Sequence, residues 1–424
     1  MARATKGDGS IRSKGKGVWE VRVAFGKDSV TGKYRSVSRT VHGTKADARK
    51  VRDELRKQHD SGLSYDGSRM TFEEFAVGVW LARREKSCAE TGKPAKTTVS
   101  DNRSILESLC KHIGDARLTS LDHYAIDKLF DKLNEGRDKP LTGSRLKKYY
   151  VVLSGVFKLA LKYDLVIRNP MEQVDAPVCE ESKRNTLEYE EARQLAAKLD
   201  DAEAEAYARI GALELSRDAR GCTDARTRIA GIDGISRIIA VRIAFATGCR
   251  RGEVLALDWA SVDFDGRRIL VDKSLTVDGD LNSPKTGAGV RSVPIDGDTI
   301  ERLRTWQERQ ARYLAELSVV QTAETPVVCS STGGHIGTSN FSRWWADHRD
   351  ELGCGGLRFH ELRHTQASLL IASGVPVPTV AKRLGHSKVS TTYDFYSHSL
   401  DEEDKKAGEL FGEIVASKHF KLVS

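Results

Sequence analysis

No stretch of this 424-residue chain approaches the roughly 20 consecutive apolar residues that a membrane-spanning helix needs. The opening, MARATKGDGS, also lacks the apolar middle of a secretion signal, so the cytoplasm is the expected location. Seven cysteines (Cys88, Cys110, Cys179, Cys222, Cys249, Cys329 and Cys354) include no C-x-x-C pair, which argues against a zinc ribbon or a disulfide framework and predicts reduced thiols. With 39% hydrophobic and 30% charged residues, the composition leaves no room for a disordered majority. The length exceeds that of one hydrophobic core and predicts two or three domains.

What is present in excess is positive charge, and it is local. The chain carries a formal +8, whereas residues 1–60 hold 16 Lys and Arg against 7 Asp and Glu, a net of +9, so the remainder comes to about −1 by subtraction. A basic module on a near-neutral body predicts a polyanion partner, because each neutralised DNA phosphate releases condensed counterions. The plainer alternative is a solvated basic tail, and periodicity opposes it. Trp19, Val21, Val23 and Phe25 alternate with Glu20, Arg22 and Ala24, the period-two pattern of a half-buried strand. A turn at Thr31-Gly32 and a second alternating stretch from Tyr34 to Val41 follow, and Thr44 can then cap a helix with Ala48, Val51 and Leu55 on one face. The expected module is a small sheet with one helix. Its Arg12, Lys14, Lys16, Arg22, Arg35 and Arg39 lie on strands and connections able to enter a major groove.

Residues 61–68 read as a linker. Beyond it, Thr71-Phe72-Glu73-Glu74 forms a capping box with Phe72, Phe75 and Val79 on one face, and helices are predicted near 98–109, 124–133 and 144–162. The last turns Leu146, Leu153, Phe157, Ala160 and Leu161 inward. It leaves Arg145, Lys147, Lys148, Lys158 and Lys162 outside, on a face that is either simply solvated or in contact with phosphates. Asn169-Pro170 is expected to stop this helix, and residues 180–185 to form a second linker. Residues 192–215 are predicted to be helical, while 217–234, interrupted by Gly221, Gly231 and Gly234, resembles an inserted loop. A buried helix defined by Ile235, Ile238, Ile239, Ile243 and Ala246 should close at Thr247-Gly248, followed at once by another through Arg250 and Glu253. Asp265-Gly266 and Asp278-Gly279 are hairpin dipeptides, so residues 262–295 are expected to form one small antiparallel sheet with Lys285 on a connection.

Five places in this last part present the groups that metal-free phosphoryl transfer requires: Arg250, Lys285, the run His360-Glu361-Leu362-Arg363, His386 and Tyr396. Each alone is a weak signal. Arg250 reads equally as a surface residue at a helix start, a lysine in a turn ordinarily means nothing, and most tyrosines pack with one wet edge. His360 to His364 also fits H-E-x-x-H, the metal-binding helix of zinc proteases, with His386 as a conceivable third ligand, but that pattern leaves Arg363 unexplained. Taken in order, T-G-C-R-R-G-E at 247–253, S-P-K-T and V-R-S-V-P-I within 283–295, H-E-L-R at 360–363, L-G-H-S at 384–387 and T-T-Y-D-F-Y-S-H at 391–398 resemble the signature of the tyrosine recombinase (phage integrase) family.

That resemblance implies a multidomain α+β fold in three parts. These are an N-terminal domain of a small β-sheet plus a helix (1–65, a basic arm-type DNA-binding domain), an all-helical core-binding domain (66–178), and a mainly helical catalytic domain with a small antiparallel sheet (185–424). It implies a site-specific recombinase, an integrase or excisionase of a mobile element, that cuts and rejoins DNA through a 3′-phosphotyrosine. Tyr396 takes the nucleophile position over Tyr393 by its distance from His386 and by the Ser397-His398 that follows. Arg250 and Arg363 would clamp the phosphate, as a planar, permanently charged guanidinium can. His360 and His386 would hydrogen-bond its oxygens, Lys285 would protonate the leaving 5′-oxygen, Glu253 would hold Arg250, and His364 would be structural. Fixed cations are what make a phenol of pKa about 10 a competent attacker. The implied partners are double-stranded DNA, at crossover core sites and separate arm sites, a homotetramer on that DNA, and DNA-bending and directionality factors. No metal, other cofactor or membrane is implied, and residues 409–415 are expected to pack on a neighbouring protomer. A type IB topoisomerase-like nicking enzyme, a non-catalytic DNA-binding protein and, as the outsider, a zinc metalloprotease remain alternatives.

Overall fold

The computed structural model describes residues 9–27, 34–60, 70–135, 137–179, 185–215, 225–283, 289–389, 392, 408–409 and 411–412; at 25–27, 34–35, 57–60, 211–215 and 225–230 it describes the backbone alone. The chain divides into two compact units, Met1–Ser182 and Lys183–Ser424.

The first unit holds two separate hydrophobic cores. Strands β1 (Ser10–Gly15), β2 (Val18–Lys27) and β3 (Tyr34–His42) form an antiparallel sheet in the order β1-β2-β3, followed by helix α1 (Lys45–Asp60). Alternation decides what is buried: Val21, Val23 and Val37 turn to one face and meet Ala48 and Leu55 of α1. Thr44 caps α1, its hydroxyl accepting the Asp47 N–H at 3.3 Å while the Asp47 carboxylate accepts the Thr44 N–H at 2.9 Å. The Thr31-Gly32 turn lies outside the described residues.

The other core is all helical. It comprises α2 (Phe72–Phe75), a π-helical segment Ala76–Leu81, α3 (Ala82–Thr91), α4 (Lys96–Ile113), α5 (His123–Lys132) and α6 (Gly143–Lys162), packed on Phe72, Phe75, Leu106, Leu109, Ile126, Leu153 and Phe157. The Thr71 to Glu74 capping box is present. Asn169-Pro170 does not end α6, as the sequence suggested. Asp164, at φ 56, adopts the left-handed conformation just past the helix, and the Leu165 N–H returns to the Ala160 carbonyl at 3.0 Å. Asn169 instead caps a short 3-10 turn, Pro170–Gln173. Residues 61–69 and 180–184, where the linkers were expected, lie outside the described residues.

In the second unit, α7 (Tyr189–Leu215), α8 (Ala225–Thr247) and α9 (Arg251–Ala256) precede β4 (Val262–Asp263), β5 (Arg268–Val271), β6 (Ser274–Leu275), β7 (Leu281–Asn282) and β8 (Arg291–Pro294). Helices α10 (Gly297–Glu316), α11 (Thr338–His348), α12 (Glu361–Ala372) and α13 (Val377–Leu384) follow. Ile235, Ile239, Ala240, Val241 and Ile243 put α8 at the centre of the core, packed by α7, α10 and α12. Residues 225–234 are therefore the first turns of α8 and not a loop; residues 216–224 are not described. Gly231 sits where α8 crosses α7, and a Cβ there would come 2.9 Å from Ile210 Cγ1, so the missing side chain serves helix contact. Among the described residues the expected single sheet is two: β4-β5-β8, and a β6-β7 hairpin that pairs Ser274 with Asn282 and Leu275 with Leu281. In the hairpin Leu275 is buried in the core while both β7 residues are exposed, and it is β8, with Arg291 and Val293 inward, that continues the sheet from β5. Among the described residues the chain is thus a helix-rich α+β protein with small antiparallel sheets, and no helix is long and apolar enough to cross a membrane.

Candidate active site and nucleic-acid faces

The turn between α8 and α9, the start of β8, helix α12 and the end of α13 bring most of the sequence-selected residues together. Gly248 ends α8 at φ 67, and a Cβ there would run into the side chains of Gln366 and Leu384, so both conformation and space require glycine. This reversal makes Arg250 the N-cap of α9. Glu253, three residues on and buried, accepts the Arg250 N–H at 2.9 Å and its Nη1 at 2.8 Å. The expectation that Glu253 holds Arg250 agrees with these contacts.

Arg363 is only 2% exposed, yet its partners are carbonyls: Nη1 donates to Gly248 O at 2.8 Å and Nη2 to Leu384 O at 2.6 Å. Burial, and after it the charge of Arg250, drives this guanidinium from 12.5 down to about 9. Arginine keeps its proton in proteins. The direction marks a buried charge that Glu253 compensates only in part, and an anion entering the site would add to that compensation.

His386 follows Gly385, which closes α13 at φ 68, and its Nδ1 lies 2.8 Å from the Thr392 hydroxyl. Burial, then Arg363, Arg250 and Arg291, push the imidazole down to about 4, so it is neutral at physiological pH. His360 stands at the N-cap of α12 with its ring centroid 4.8 Å from that of His364, and burial followed by Arg363 and Arg250 lowers its pKa as well. Glu361, between them in the sequence, is engaged by Arg358. It is 2% exposed and takes the Arg358 N–H at 2.7 Å and the Arg358 Nη2 at 2.7 Å. That engagement removes the general base a zinc-protease helix would need, and among the described residues no group of three or more His, Cys, Asp or Glu is placed to hold a metal. Lys285, Tyr396 and the competing Tyr393 lie outside the described residues.

Sequence reasoning quoted Arg291 within a motif but gave it no role. Its side chain is buried and donates to both oxygens of Glu253, at 3.3 Å and 2.8 Å. The available signal was register: β8 alternates buried and exposed, and Arg291 occupies an inward position beside Val293. An inward arginine demands a partner.

The basic residues proposed to meet DNA divide by geometry. Arg12 pairs across the sheet with Glu20, and Arg22 with Ser10 and Ser38, so both stand on the face away from Val21 and Val23, where Lys14 joins them through an ion pair to Glu20 at 2.9 Å. Arg39 is paired with Val21 and therefore belongs to the opposite face; Lys16 is exposed in the β1-β2 turn, and the Arg35 side chain is not described. In α6, Arg145 lies over the Tyr149 ring at 5.6 Å, Lys147 is exposed, and Lys148 is tied to Asp101 at 2.9 Å. Of residues 409–415, expected to pack on a neighbour, only 409, 411 and 412 are described.

The description of the phage integrase family matches residues 216–403. Over 410 residues the chain is 24% identical to the ICEBs1 integrase of Bacillus subtilis (strain 168), covering 96% of this chain and all of that one. It is 29% identical over 187 residues to a XerC-like tyrosine recombinase of Caldanaerobacter subterraneus subsp. tengcongensis, 41% of this chain and 48% of the other. Among solved structures, its fold is similar to the Tn1549 transposon integrase in complex with transposon right end DNA, at a TM-score of 0.60 and 17% identity, over 80% of this chain and 99% of that one. It is also similar to lambda integrase in a tetramer bound to a Holliday junction, at a TM-score of 0.52 and 18% identity, over 93% and 96% of the two chains.

Proposed function

We propose, from the premise that this chain belongs to the phage integrase family of tyrosine recombinases, that Arg250, Arg363, His360, His386, Lys285 and Tyr396 carry out its chemistry. The enzyme is a site-specific DNA recombinase, an integrase of a mobile element. One observation carries the assignment of roles. Arg250 and Arg291 share one carboxylate, Glu253, while Arg363 is held by carbonyls, so the three guanidinium groups carry a surplus of two positive charges beside two imidazoles of lowered pKa. A DNA phosphodiester brings one negative charge, and its pentacoordinate transition state gathers a second. The surplus therefore suits the transition state better than the ground state, and this difference is what accelerates a reaction.

In this reading the Tyr396 oxygen attacks phosphorus as its own proton passes to solvent, the bond from phosphorus to the 5′-oxygen breaks, and Lys285 gives that oxygen a proton. His360 and His386, as neutral rings, each offer one N–H to a non-bridging oxygen. The 3′-phosphotyrosine retains the energy of the phosphodiester, so a new 5′-hydroxyl can reverse the step without ATP or metal. Residues 1–65 would bind arm sites, 66–178 the core site, and 185–424 would cut it, with four protomers acting on two duplexes. The open polar face carrying Arg12, Lys14 and Arg22 supports a DNA role for the first of these.

The test is to trap the enzyme on a nicked suicide substrate and resolve the covalent adduct under denaturing conditions. The adduct is expected with the parent and with Tyr393→Phe, is expected to be absent with Tyr396→Phe, and should be indifferent to chelator. An adduct that survives Tyr396→Phe, or that disappears with chelator, overturns the assignment.

A further inference from the structure

We propose that Arg291 is a positioning residue for strand cleavage: by neutralising Glu253 it leaves the charge of Arg250 available to the DNA phosphate. This inference rests on the reading of Arg250 as a phosphate clamp.

The geometry is that of a fully occupied guanidinium. Arginine has five N–H donors. In Arg291, Nε donates to Arg383 O at 2.8 Å, Nη1 to Gly289 O at 3.0 Å and to Glu253 Oε1 at 3.3 Å, and Nη2 to Glu253 Oε2 at 2.8 Å and to Cys249 Sγ at 3.5 Å. No N–H is left to reach a substrate, and the side chain is 6% exposed, so Arg291 does not touch DNA itself. Arg250 differs on both counts: its side chain is 43% exposed and it reaches Glu253 through Nη1.

Glu253 decides how much charge Arg250 can offer. Burial alone would raise this carboxyl, but the hydrogen bonds and charge of Arg291, followed by Arg250, outweigh it and hold the group ionised below its ordinary value. An ionised carboxylate facing Arg250 alone would form a neutral pair, and a phosphate would then have to compete with it. With Arg291 on both of its oxygens, Glu253 is already compensated and serves Arg250 as a geometric stop. The same guanidinium reaches the backbone at Gly289, close in sequence after Lys285, and at Arg383, close before His386. A single buried side chain thus ties together the segments flanking three proposed catalytic residues. Lysine, with three donors on a point charge, can supply the compensation but not the five-way tie.

The test compares single-turnover cleavage of two suicide substrates, one with an ordinary scissile phosphate and one with a methylphosphonate, which is uncharged and needs little neutralisation. Arg291→Met is expected to slow cleavage of the ordinary substrate roughly tenfold to a hundredfold, less than the ~10²–10³ that follows loss of a direct donor. DNA affinity should stay at the parent's value, and the rate on the methylphosphonate should return to the parent's. Adding Glu253→Gln to Arg291→Met removes the competing charge and is expected to recover rate on the ordinary substrate. Equal slowing on both substrates, or no recovery in the double variant, makes Arg291 a merely structural residue and overturns the proposal. Should Arg291→Met fail to fold, Arg291→Lys carries the same comparison, with a smaller slowing that is again confined to the phosphate. Arg250→Ala is the reference: if it cuts the ordinary substrate at the parent's rate, the reading of the clamp fails, which is a separate result from failure of Arg291.

Discussion

The two units hold arginine and lysine in opposite ways. On the sheet of the first, Arg12, Lys14 and Arg22 stand exposed on an open polar face, with one surface ion pair to Glu20 among them. In the second, Arg291 and Arg363 are buried and held by carbonyls and a single carboxylate, with Arg250 oriented at their edge. The difference separates two uses of positive charge. A solvated cation contributes affinity through counterion release and tolerates small displacements. A locked cation has already met its cost of reorganisation and acts on charge as it develops in the reaction. The contrast breaks most visibly at Arg363. Arg363→Lys keeps the charge but cannot span Gly248 and Leu384 as a fork, and is expected to slow single-turnover cleavage by about 10²–10³ while DNA affinity and its salt dependence stay as in the parent. A salt slope that falls along with the rate would show that the two sets of cations are not distinct.

The opposite outcome is expected for the exposed set. Replacing Arg12, Lys14 and Arg22 together by alanine should flatten the plot of log affinity against log salt by about 0.9 for each phosphate that is no longer neutralised, with cleavage of a core-site suicide substrate unchanged. Lys14 should contribute least, because its pair with Glu20 at 2.9 Å already engages it. Deleting residues 1–65 carries this to its limit, with recombination abolished and cleavage spared; failure of both activities would contradict the division of labour. Fluorescence anisotropy across a salt series and a cleavage time course give the two readouts.

Local signals were legible in the sequence, and contact-dependent ones were not. The alternation of Val21 and Val23, the capping box at Thr71 and the helix-ending Gly248 are written in neighbouring residues, and the structure has them where they were expected. Gly231 and Gly234 were read as a loop because glycine disfavours helix, but at Gly231 the deciding fact is Ile210, 21 positions earlier in the chain. The two-sheet arrangement of residues 262–295 likewise depends on which strands meet, β8 with β5 and β7 with β6. In the site, motif order selected Arg250, Arg363, His360 and His386. It missed Arg291 as a working residue because its partners Glu253 and Arg383 are 38 and 92 residues away. Gly231→Leu sharpens this point. Packing a side chain between α7 and α8 should destabilise the fold by about 1–3 kcal/mol in chemical denaturation, with the cleavage rate per folded molecule unchanged; a stable variant would mean that the helices do not need that approach.

The smallest expected effect isolates what surrounding cations do to a neutral group. The imidazole of His386 falls from 6.5 to about 4 through burial and then Arg363, Arg250 and Arg291. The unfolded chain therefore takes up a proton near pH 6.5 that the folded chain refuses until near pH 4. The sign follows directly: the stability associated with His386 is fully present above pH 6.5, declines as pH falls, and is exhausted once pH passes the folded value. His386→Asn removes the titrating group, so its melting temperature should fall less than the parent's between neutral and mildly acidic buffer. Replacing Arg12, Lys14 and Arg22 should leave the parent's pH profile intact, since those charges are solvated and screened, whereas Arg250, Arg291 and Arg363 act on His386 directly. A core-site duplex should shrink the parent's acid-induced drop, because a phosphate placed among those guanidinium groups offsets the field that holds His386 neutral. A drop of the same size with and without the duplex would mean that the phosphate does not enter this cluster, and the contrast between locked and solvated cations would lose its functional half.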